Sequence, residues 1–274
     1  AVAIVIGGPG AAFWLLVAGF LSMSTKLVEC TLGVKYRRYN KDGSVSGGPM
    51  FYLEHYLSSR GFPFLGRFFG LFYALALVIG CFGIGNMFQS NQAYAQFVVI
   101  TGGENSFFYD KGWVFGIGIA AVVALVIIGG IRSIARTASL IVPFMGGLYL
   151  VSCLTIILMS FDEIPGAISL IISSAFSIHA GFGAIVGSAV EMGVKRGIYS
   201  NEAGQGTAPH AAAAAEVSHP VKQGLVQAFS VYIDTLLVCT ATALMILLTG
   251  FYNVCLLYTS DAADEGLGVD LGGR

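Results

Sequence analysis

Charged residues are scarce in this chain, and their scarcity excludes an ordinary soluble domain. They make up 11% of the 274 residues, whereas soluble globular domains carry about 25%. Hydrophobic residues make up 56% of the chain, and the mean hydropathy is +0.80. Several runs of about twenty apolar residues are long enough to cross a bilayer as helices. The composition therefore predicts an all-α polytopic membrane protein.

The sequence also lacks the motifs of common enzyme and metal sites. Its five cysteines stand singly, without CxxC spacing, and its four histidines form no HExxH pattern. No GxSxG elbow is present, and the GxG of Gly204 and Gly206 is not followed by the GK[ST] of a phosphate-binding loop. No basic cluster indicates a nucleic-acid partner. We therefore expect no enzyme activity, no organic cofactor and no nucleic-acid binding.

Six apolar runs are predicted to span the membrane: residues 11–33, 65–100, 113–131, 139–160, 166–193 and 222–250. The lysines and arginines between these runs are concentrated in alternate connections. By the positive-inside rule, the basic loops 34–64, 132–138 and 194–221 face the cytoplasm. We therefore expect a multi-pass protein of the plasma (inner) membrane, surrounded by the lipid bilayer.

The second span carries more amide side chains than a membrane helix usually has. Asn86, Gln89 and Gln96 share one helix face, because residues three, four and seven positions apart lie on the same side. Amides can bind a carboxylate or ammonium group, or coordinate a cation through their oxygen. They can equally hold neighbouring helices together. A row of them favours a polar pathway.

The fifth span is rich in glycine at its centre, AFSIHAGFGAIVG, where Ser177, Gly181, Gly183 and Gly187 replace the leucines of an ordinary span. Glycine costs about 1 kcal/mol relative to alanine in a helix, so we expect the helix to be weak there. Discontinuous helices of this kind form substrate and ion sites in secondary transporters. Close packing of small residues between helices is the alternative.

Several segments, in order along the chain, resemble the alanine or glycine:cation symporter family, the sodium/alanine symporters or amino acid carrier proteins. These segments are GGPMFYLEHYL, CFGIGNMFQSNQ, VIIGGIRSIART, VPFMGGLYL, GIYSNEAGQGTAPHAAAAA and VKQGLVQAFSVYIDTLLVCTATALMILLTG. The resemblance implies the five-plus-five inverted-repeat fold of the amino acid–polyamine–cation transporter superfamily. On that fold, residues 1–254 form a partial transporter domain, from the end of helix 1 through helix 7, with about six complete transmembrane helices.

The resemblance implies sodium-coupled symport of a small neutral amino acid, alanine or glycine, by alternating access. Na+ is then the coupling ion. The family's substrate lies among helices 1, 3, 6 and 8, which implies substrate-binding roles here for Gln89, Asn86, Ser177, Gly181, Phe182 and Gly183. The main sodium site is expected on helices 1 and 8, outside this chain. We therefore expect the chain by itself to be inactive.

Two other functions stay open at this point. One is a proton- or other cation-coupled amino acid carrier on the same fold. No buried acid is obvious within the predicted spans apart from Asp234, which weakly disfavours a proton relay. The other is a membrane sensor or scaffold with a degenerate site.

The connection between the fifth and sixth spans, IYSNEAGQGTAPHAAAAAEVSHP, has its own expected role. Ser200 and Asn201 can cap a short helix whose first turn suits Glu202. Gly204 and Gly206 allow close approach of the backbone. We expect a cytoplasmic gating or hinge element beside the substrate path, formed by Asn201, Glu202, Gly204 and Gly206.

The last segment of the chain differs in character from everything before it. Residues 255–265, CLLYTSDAADE, resemble a translation of the transposase adapter used in short-read sequencing libraries. Residues 268–274, GVDLGGR, resemble the flow-cell primer that follows that adapter. We therefore expect residues 255–274 to be a translated sequencing-adapter artefact and exclude them from the fold.

Overall fold

The computed structural model describes residues 1–41, 43–83, 87–176 and 186–250. The chain divides into two compact units, one formed by residues 1–66 and 150–274 and the other by residues 67–149. The terminal segment 255–274, which the sequence sets apart, lies outside the described residues.

Helices dominate the described ranges. In chain order they are α1 (Val2–Gly7), α2 (Gly10–Lys35), α3 (Pro49–Ser59), α4 (Pro63–Gly83), α5 (Met87–Ile100), α6 (Gly112–Ile127), α7 (Gly130–Met159), α8 (Ile164–Ala175), α9 (Val186–Asn201), α10 (Ala208–Ala213), α11 (Pro220–Val231) and α12 (Cys239–Leu248). A π-helical segment, Tyr232–Val238, joins α11 to α12. Between α2 and α3, strands β1 (Arg38–Tyr39) and β2 (Val45–Ser46) pair antiparallel in a short hairpin.

Four helical segments are long and apolar enough to cross a membrane, which confirms an all-α membrane protein. They are Gly10–Lys35, Pro63–Ile100, Gly130–Met159 and Pro220–Leu248, and α6 is a shorter apolar helix. Residues 84–86, within the second of these segments, lie outside the described part. The total of six spans and the inverted-repeat fold stay predictions.

The fifth predicted span, residues 166–193, forms two helices in the described chain instead of one. Helix α8 ends at Ala175 and α9 begins at Val186. The glycine-rich residues 177–185 between them lie outside the described part. The end of α8 therefore falls within the segment where the sequence predicts a weak helix.

Helix starts in the larger unit follow local sequence signals. At the start of α11, the His219 ring nitrogen Nδ1 accepts a hydrogen bond from the Val221 amide at 3.3 Å. Pro220 occupies the first turn of this helix, where its missing amide proton removes no helical hydrogen bond. Pro49 occupies the same place in α3.

Helix α2 lies at the centre of the larger unit, and glycines on its neighbours allow close approach. A Cβ placed on Gly193 of α9 would meet the Ala11 carbonyl oxygen and the Trp14 Cβ, each at 2.6 Å. At Gly197, one turn later, it would lie 3.0 Å from the Leu15 carbonyl oxygen. Small residues are common at the interfaces between membrane helices because they let the two backbones approach closely. Gly193 is therefore a glycine because α2 leaves no room for a Cβ, and not because its backbone conformation needs glycine.

The larger unit also contains a cluster of buried apolar residues. Its buried members are Ile4, Ala12, Ala167, Ala243, Leu247 and Leu248, from α1, α2, α8 and α12. These four helices therefore pack as one group.

The smaller unit is held together by aromatic contacts around α5 and α6. The Tyr94 hydroxyl lies within hydrogen-bonding distance of the Phe108 and Tyr109 carbonyl oxygens, at 2.6 and 2.5 Å. The Phe97 ring packs against those of Phe108 and Phe115, with centroids 5.0 Å apart in each pair. Large apolar side chains are exposed along α4, α6 and α7, a surface that suits hydrocarbon contact.

Replacement of Gly193 by alanine tests the close approach of α9 to α2. Because the added Cβ meets backbone atoms that cannot rotate away, Gly193→Ala is expected to lower the free energy of unfolding by about 1 to 3 kcal/mol. At Gly118, in the middle of α6, an added Cβ would have no described atom within 4 Å. Gly118→Ala is therefore the matched control, with a gain of up to about 1 kcal/mol from helix propensity. Thermal unfolding of the complete protein in detergent measures both, and equal effects would contradict the packing argument.

Candidate functional site

The connection between α9 and α10, residues 201–207, lies against α2 and has an unusual backbone. Glu202 has a φ of 55°, and Gly204 and Gly206 each have a φ of 78°. This left-handed region is open to glycine but costs other residues roughly 1 to 2 kcal/mol. A Cβ on Gly204 would meet only the Thr25 Cγ2, at 3.9 Å. The glycine at 204 is therefore required by its backbone conformation, not by the close approach expected from the sequence.

The C-terminal end of α9 is bound by a buried lysine from α2. The Lys26 ammonium donates a hydrogen bond to the Asn201 carbonyl oxygen at 2.7 Å, and Lys26 is only 4% exposed. The last carbonyls of a helix have no partner in the helix and carry partial negative charge. Lys26 therefore satisfies one of these carbonyls and places its own charge where the helix dipole favours it.

The Asn201 side chain adds a second link between the same two helices. Its amide donates to the Ser22 hydroxyl at 2.7 Å, and its oxygen accepts from the Ala203 amide at 3.0 Å. The Ser22 hydroxyl in turn donates to the Gly19 carbonyl oxygen at 2.9 Å. Buried polar groups are costly unless bonded, and here donor and acceptor of Asn201 are both used.

One turn beyond Lys26, the buried carboxylate of Glu29 on α2 binds a backbone amide of the α9–α10 connection. Glu29 is 7% exposed, and its Oε2 accepts a hydrogen bond from the Gly204 amide at 3.0 Å. Its other oxygen, Oε1, is buried and has no hydrogen-bond partner within the described ranges. The position of the Gly204 amide therefore depends on this carboxylate.

Tyr52 of α3 lies near the same carboxylate. Burial, followed by the charge of Glu29 and then that of Cys30, raises the pKa of the Tyr52 hydroxyl to about 12. The hydroxyl therefore stays protonated at physiological pH, and Tyr52 adds no negative charge beside Glu29.

Further contacts fix the segment that follows the connection. The Thr207 hydroxyl donates to Glu202 Oε2 at 2.8 Å, which holds the exposed Glu202 side chain over the turn. The Arg37 guanidinium, just after α2, donates to the carbonyl oxygens of Ala213 and Ala215 at 2.9 and 2.7 Å. Arg37 therefore anchors the end of α10 to the segment that follows α2.

The structure brings the four predicted gating residues together but corrects the expected capping. Ser200 and Asn201 do not begin a short helix; they are the last two residues of α9. Glu202 does not lie in a first helical turn, because its positive φ ends α9. The helix continues because Lys26 satisfies the carbonyl of Asn201 from outside the helix.

The predicted substrate residues are placed only in part. Gln89 lies on α5 in the smaller unit, is exposed, and shares a helix face with Gln96, seven positions along. The other predicted members lie outside the described residues: Asn86, Ser177, Gly181, Phe182 and Gly183.

Sequence reasoning missed Lys26, Glu29 and Ser22. Two charges three residues apart inside the first predicted span were the available signal, since charges in membrane helices usually have a functional or paired role. The expectation that the spans hold no buried acid apart from Asp234 is therefore wrong, because Glu29 of span 11–33 is buried.

Replacement of Lys26 by methionine tests the bond to Asn201. Lys26→Met keeps the length of the side chain but leaves the α9 carbonyl without its charged donor, so the free energy of unfolding is expected to fall by about 1.5 to 3 kcal/mol. Lys195→Met is the matched control: Lys195 pairs with Glu191 at 2.6 Å, but its side chain is 64% exposed. An exposed pair of this kind contributes less than about 1 kcal/mol. Thermal unfolding of the complete protein decides, and a loss no larger than that of the control would contradict the role of Lys26.

Comparison with known proteins places the chain in a family. A sequence model described as the sodium:alanine symporter family matches residues 1–272. The chain is 49% identical over 253 residues to the putative sodium/proton-dependent alanine carrier protein YrbD of Bacillus subtilis (strain 168), covering 92% of this chain and 49% of that protein. It is 43% identical over 250 residues to the sodium/alanine symporter AgcS of Methanococcus maripaludis, covering 91% and 53%.

A third relative is the sodium/proton-dependent alanine carrier protein of Bacillus sp. (strain PS3), 44% identical over 273 residues, with 99% of this chain and 58% of that protein covered. The chain thus spans about half the length of the curated relatives it matches. The family consists of transporters, not enzymes. The chain belongs to the sodium:alanine symporter family.

Proposed function

We propose that the complete protein, of which this chain matches about half, carries a small neutral amino acid, alanine or glycine, across the plasma membrane together with Na+. The observation that carries this proposal is the family match over residues 1–272. The conformational cycle is alternating access, in which the coupling ion's gradient drives the substrate inward. In this proposal the chain by itself is inactive, because it spans about half the length of the relatives it matches.

In this proposal the break between α8 and α9 lies beside the substrate. Its residues Ser177, Gly181, Phe182 and Gly183 bind the amino acid together with Gln89 and Asn86. The end of α8 at Ala175 supports this assignment, because the end of a half-helix presents unpaired backbone groups to charged ligands.

The α9–α10 connection is proposed as a gate or hinge on the cytoplasmic side, with the basic loops 34–64, 132–138 and 194–221 facing the cytoplasm. Two of its bonds to α2 support this role: Lys26 to the Asn201 carbonyl and Glu29 to the Gly204 amide. Movement of α9 relative to α2 must break these bonds or carry both partners along. The connection is therefore where a change at the break in helix α8–α9 is transmitted to α2.

Proton coupling is the second candidate, because two of the relatives are named sodium/proton-dependent alanine carriers. The coupling ion is distinguished by uptake in proteoliposomes containing the complete protein. An inward Na+ gradient at equal pH is expected to drive alanine accumulation, whereas a pH gradient without Na+ is not. Accumulation driven by the pH gradient alone would contradict sodium coupling, and uptake that no cation gradient drives would contradict symport.

The gate is tested with glycine-to-alanine substitutions at positions that share the same positive φ, two of them in the α9–α10 connection and one outside it. Gly204→Ala and Gly206→Ala place a Cβ at a φ of 78°, which costs roughly 1 to 2 kcal/mol. If the connection changes conformation during transport, the initial uptake rate is expected to fall about tenfold, the factor that corresponds to about 1.4 kcal/mol.

Gly43 is the matched control, because it has the same φ of 78° in the β1–β2 hairpin, and no atom of the described residues lies within 4 Å of its Cβ position. Gly43→Ala is expected to leave the uptake rate per folded protein unchanged. Wild-type uptake by the Gly204 and Gly206 variants would contradict the gate.

A further inference from the structure

Asp234 is a carboxylate within an apolar membrane segment, and the gate described above does not use it. It lies in the π-helical segment Tyr232–Val238, inside the span Pro220–Leu248. The Cys239 amide donates to the Asp234 carbonyl oxygen five residues back, which widens the helix at this point. π-Helical turns occur frequently at functional sites, and acids inside membrane segments usually belong to ion or substrate pathways.

Two hydroxyls from different helices surround the Asp234 carboxylate. The Ser200 hydroxyl of α9 donates to Asp234 Oδ2 at 2.6 Å, and the Thr235 hydroxyl donates to the same oxygen at 3.2 Å. Thr235 is fully buried, and its side chain leaves no room for a Cβ on Gly19 of α2. Three side-chain oxygens are therefore held within one small volume, and tight packing against α2 fixes one of them.

The charge of this carboxylate is not balanced by a basic side chain. Among the described residues, no lysine, arginine or histidine forms an ion pair with Asp234. A charged group in an apolar region is costly unless it is paired or neutralised. One monovalent cation would balance the carboxylate, whereas a divalent cation would leave an excess positive charge.

A small cavity lined in part by Cys239 gives room for water near this group. Its volume is about 90 Å³, and Leu15, Ile171, Cys239 and Thr240 are among its lining residues. The Cys239 sulfur lies 3.5 Å from the Ser200 hydroxyl oxygen. Asp234, Ser200 and Thr235 themselves do not line this cavity. Since a water molecule takes about 30 Å³ in the liquid, the cavity has room for water beside Cys239, close to the Ser200 hydroxyl.

We propose that Asp234, Ser200 and Thr235 form a Na+ site, separate from the main sodium site expected on helices 1 and 8. The inference rests on the proposed function, because it identifies a site for the coupling ion. On binding, the Ser200 and Thr235 hydroxyl protons turn away from Asp234, and all three side chains present oxygen lone pairs to the ion. Hard cations prefer such oxygen ligands. The bound ion then links α9 to the α11–α12 segment.

The test uses the complete purified protein and two readouts. The first is the rise in melting temperature as NaCl replaces KCl at constant ionic strength, without amino acid. The second is the Na+ concentration that gives half-maximal alanine uptake in proteoliposomes. Asp234→Asn keeps the shape and an acceptor for both hydroxyls but removes the charge, and is expected to raise the half-saturating Na+ concentration by about 10- to 100-fold in both readouts.

Asp162→Asn is the matched control, because Asp162 is an exposed acid in the turn before α8, and it is expected to leave both values unchanged. If Asp234→Asn does not fold, Ser200→Ala decides, with an expected increase of at least about threefold from the loss of one ligand. The inference would be overturned if a folded Asp234→Asn protein had the same half-saturating Na+ concentration as the wild type. Where Ser200→Ala is the deciding variant, the same result in that variant would overturn it.

The two readouts also separate the inference from the proposed function. Wild-type uptake without Na+ dependence, together with a Na+-induced melting shift that requires Asp234, would reject sodium symport and keep the site. Sodium-driven uptake with the same half-saturation in Asp234→Asn and wild-type protein would keep symport and reject the site.

Discussion

The larger unit depends on one constraint: α2 carries two charged side chains into a helix interface that is too tightly packed to admit them unpaired. Glycines such as Gly193 bring α9 against α2, so Lys26 and Glu29 are buried almost completely. Their partners are backbone groups of the neighbouring chain segment, the Asn201 carbonyl and the Gly204 amide. Because an unpaired buried charge costs far more than a hydrogen bond returns, the path of that segment is set by these two side chains.

The backbone of the α9–α10 connection follows from the same constraint. Helix α9 runs to Asn201, where the carbonyl meets Lys26, and the chain must then turn within three residues to present the Gly204 amide to Glu29. Such a turn requires positive φ at Glu202 and Gly204. Glycine meets this requirement at Gly204 without strain, whereas Glu202 does not, and its carboxylate is held by the Thr207 hydroxyl. The non-glycine residue is therefore retained in a costly conformation by a specific contact.

Local sequence signals predicted the helices but not the contacts between them. Long apolar runs identified α2 and the α11–α12 segment, and the glycine-rich centre of the fifth predicted span marked the place where α8 ends. The sequence also singled out residues 201–206, because Gly204 and Gly206 allow the backbone to approach closely there. It could not show that Lys26 binds Asn201, since 175 residues separate the two positions. The π-helical turn at Tyr232–Val238 was equally hidden, because hydropathy does not distinguish i→i+5 from i→i+4 hydrogen bonding.

The last two residues of α9 connect the two polar groups of this unit. The Ser200 side chain bonds to Asp234 on one neighbouring helix, whereas the Asn201 side chain and carbonyl bond to Ser22 and Lys26 on another. Adjacent residues on a helix share one rigid backbone, so a shift of Ser200 relative to Asp234 moves the Asn201 carbonyl relative to Lys26. A cation that replaces the Ser200–Asp234 hydrogen bond would therefore act on the start of the α9–α10 connection directly. The ion site and the gate would then be coupled through the end of α9 alone, because Ser200 binds Asp234 and the adjacent Asn201 binds Ser22 and Lys26.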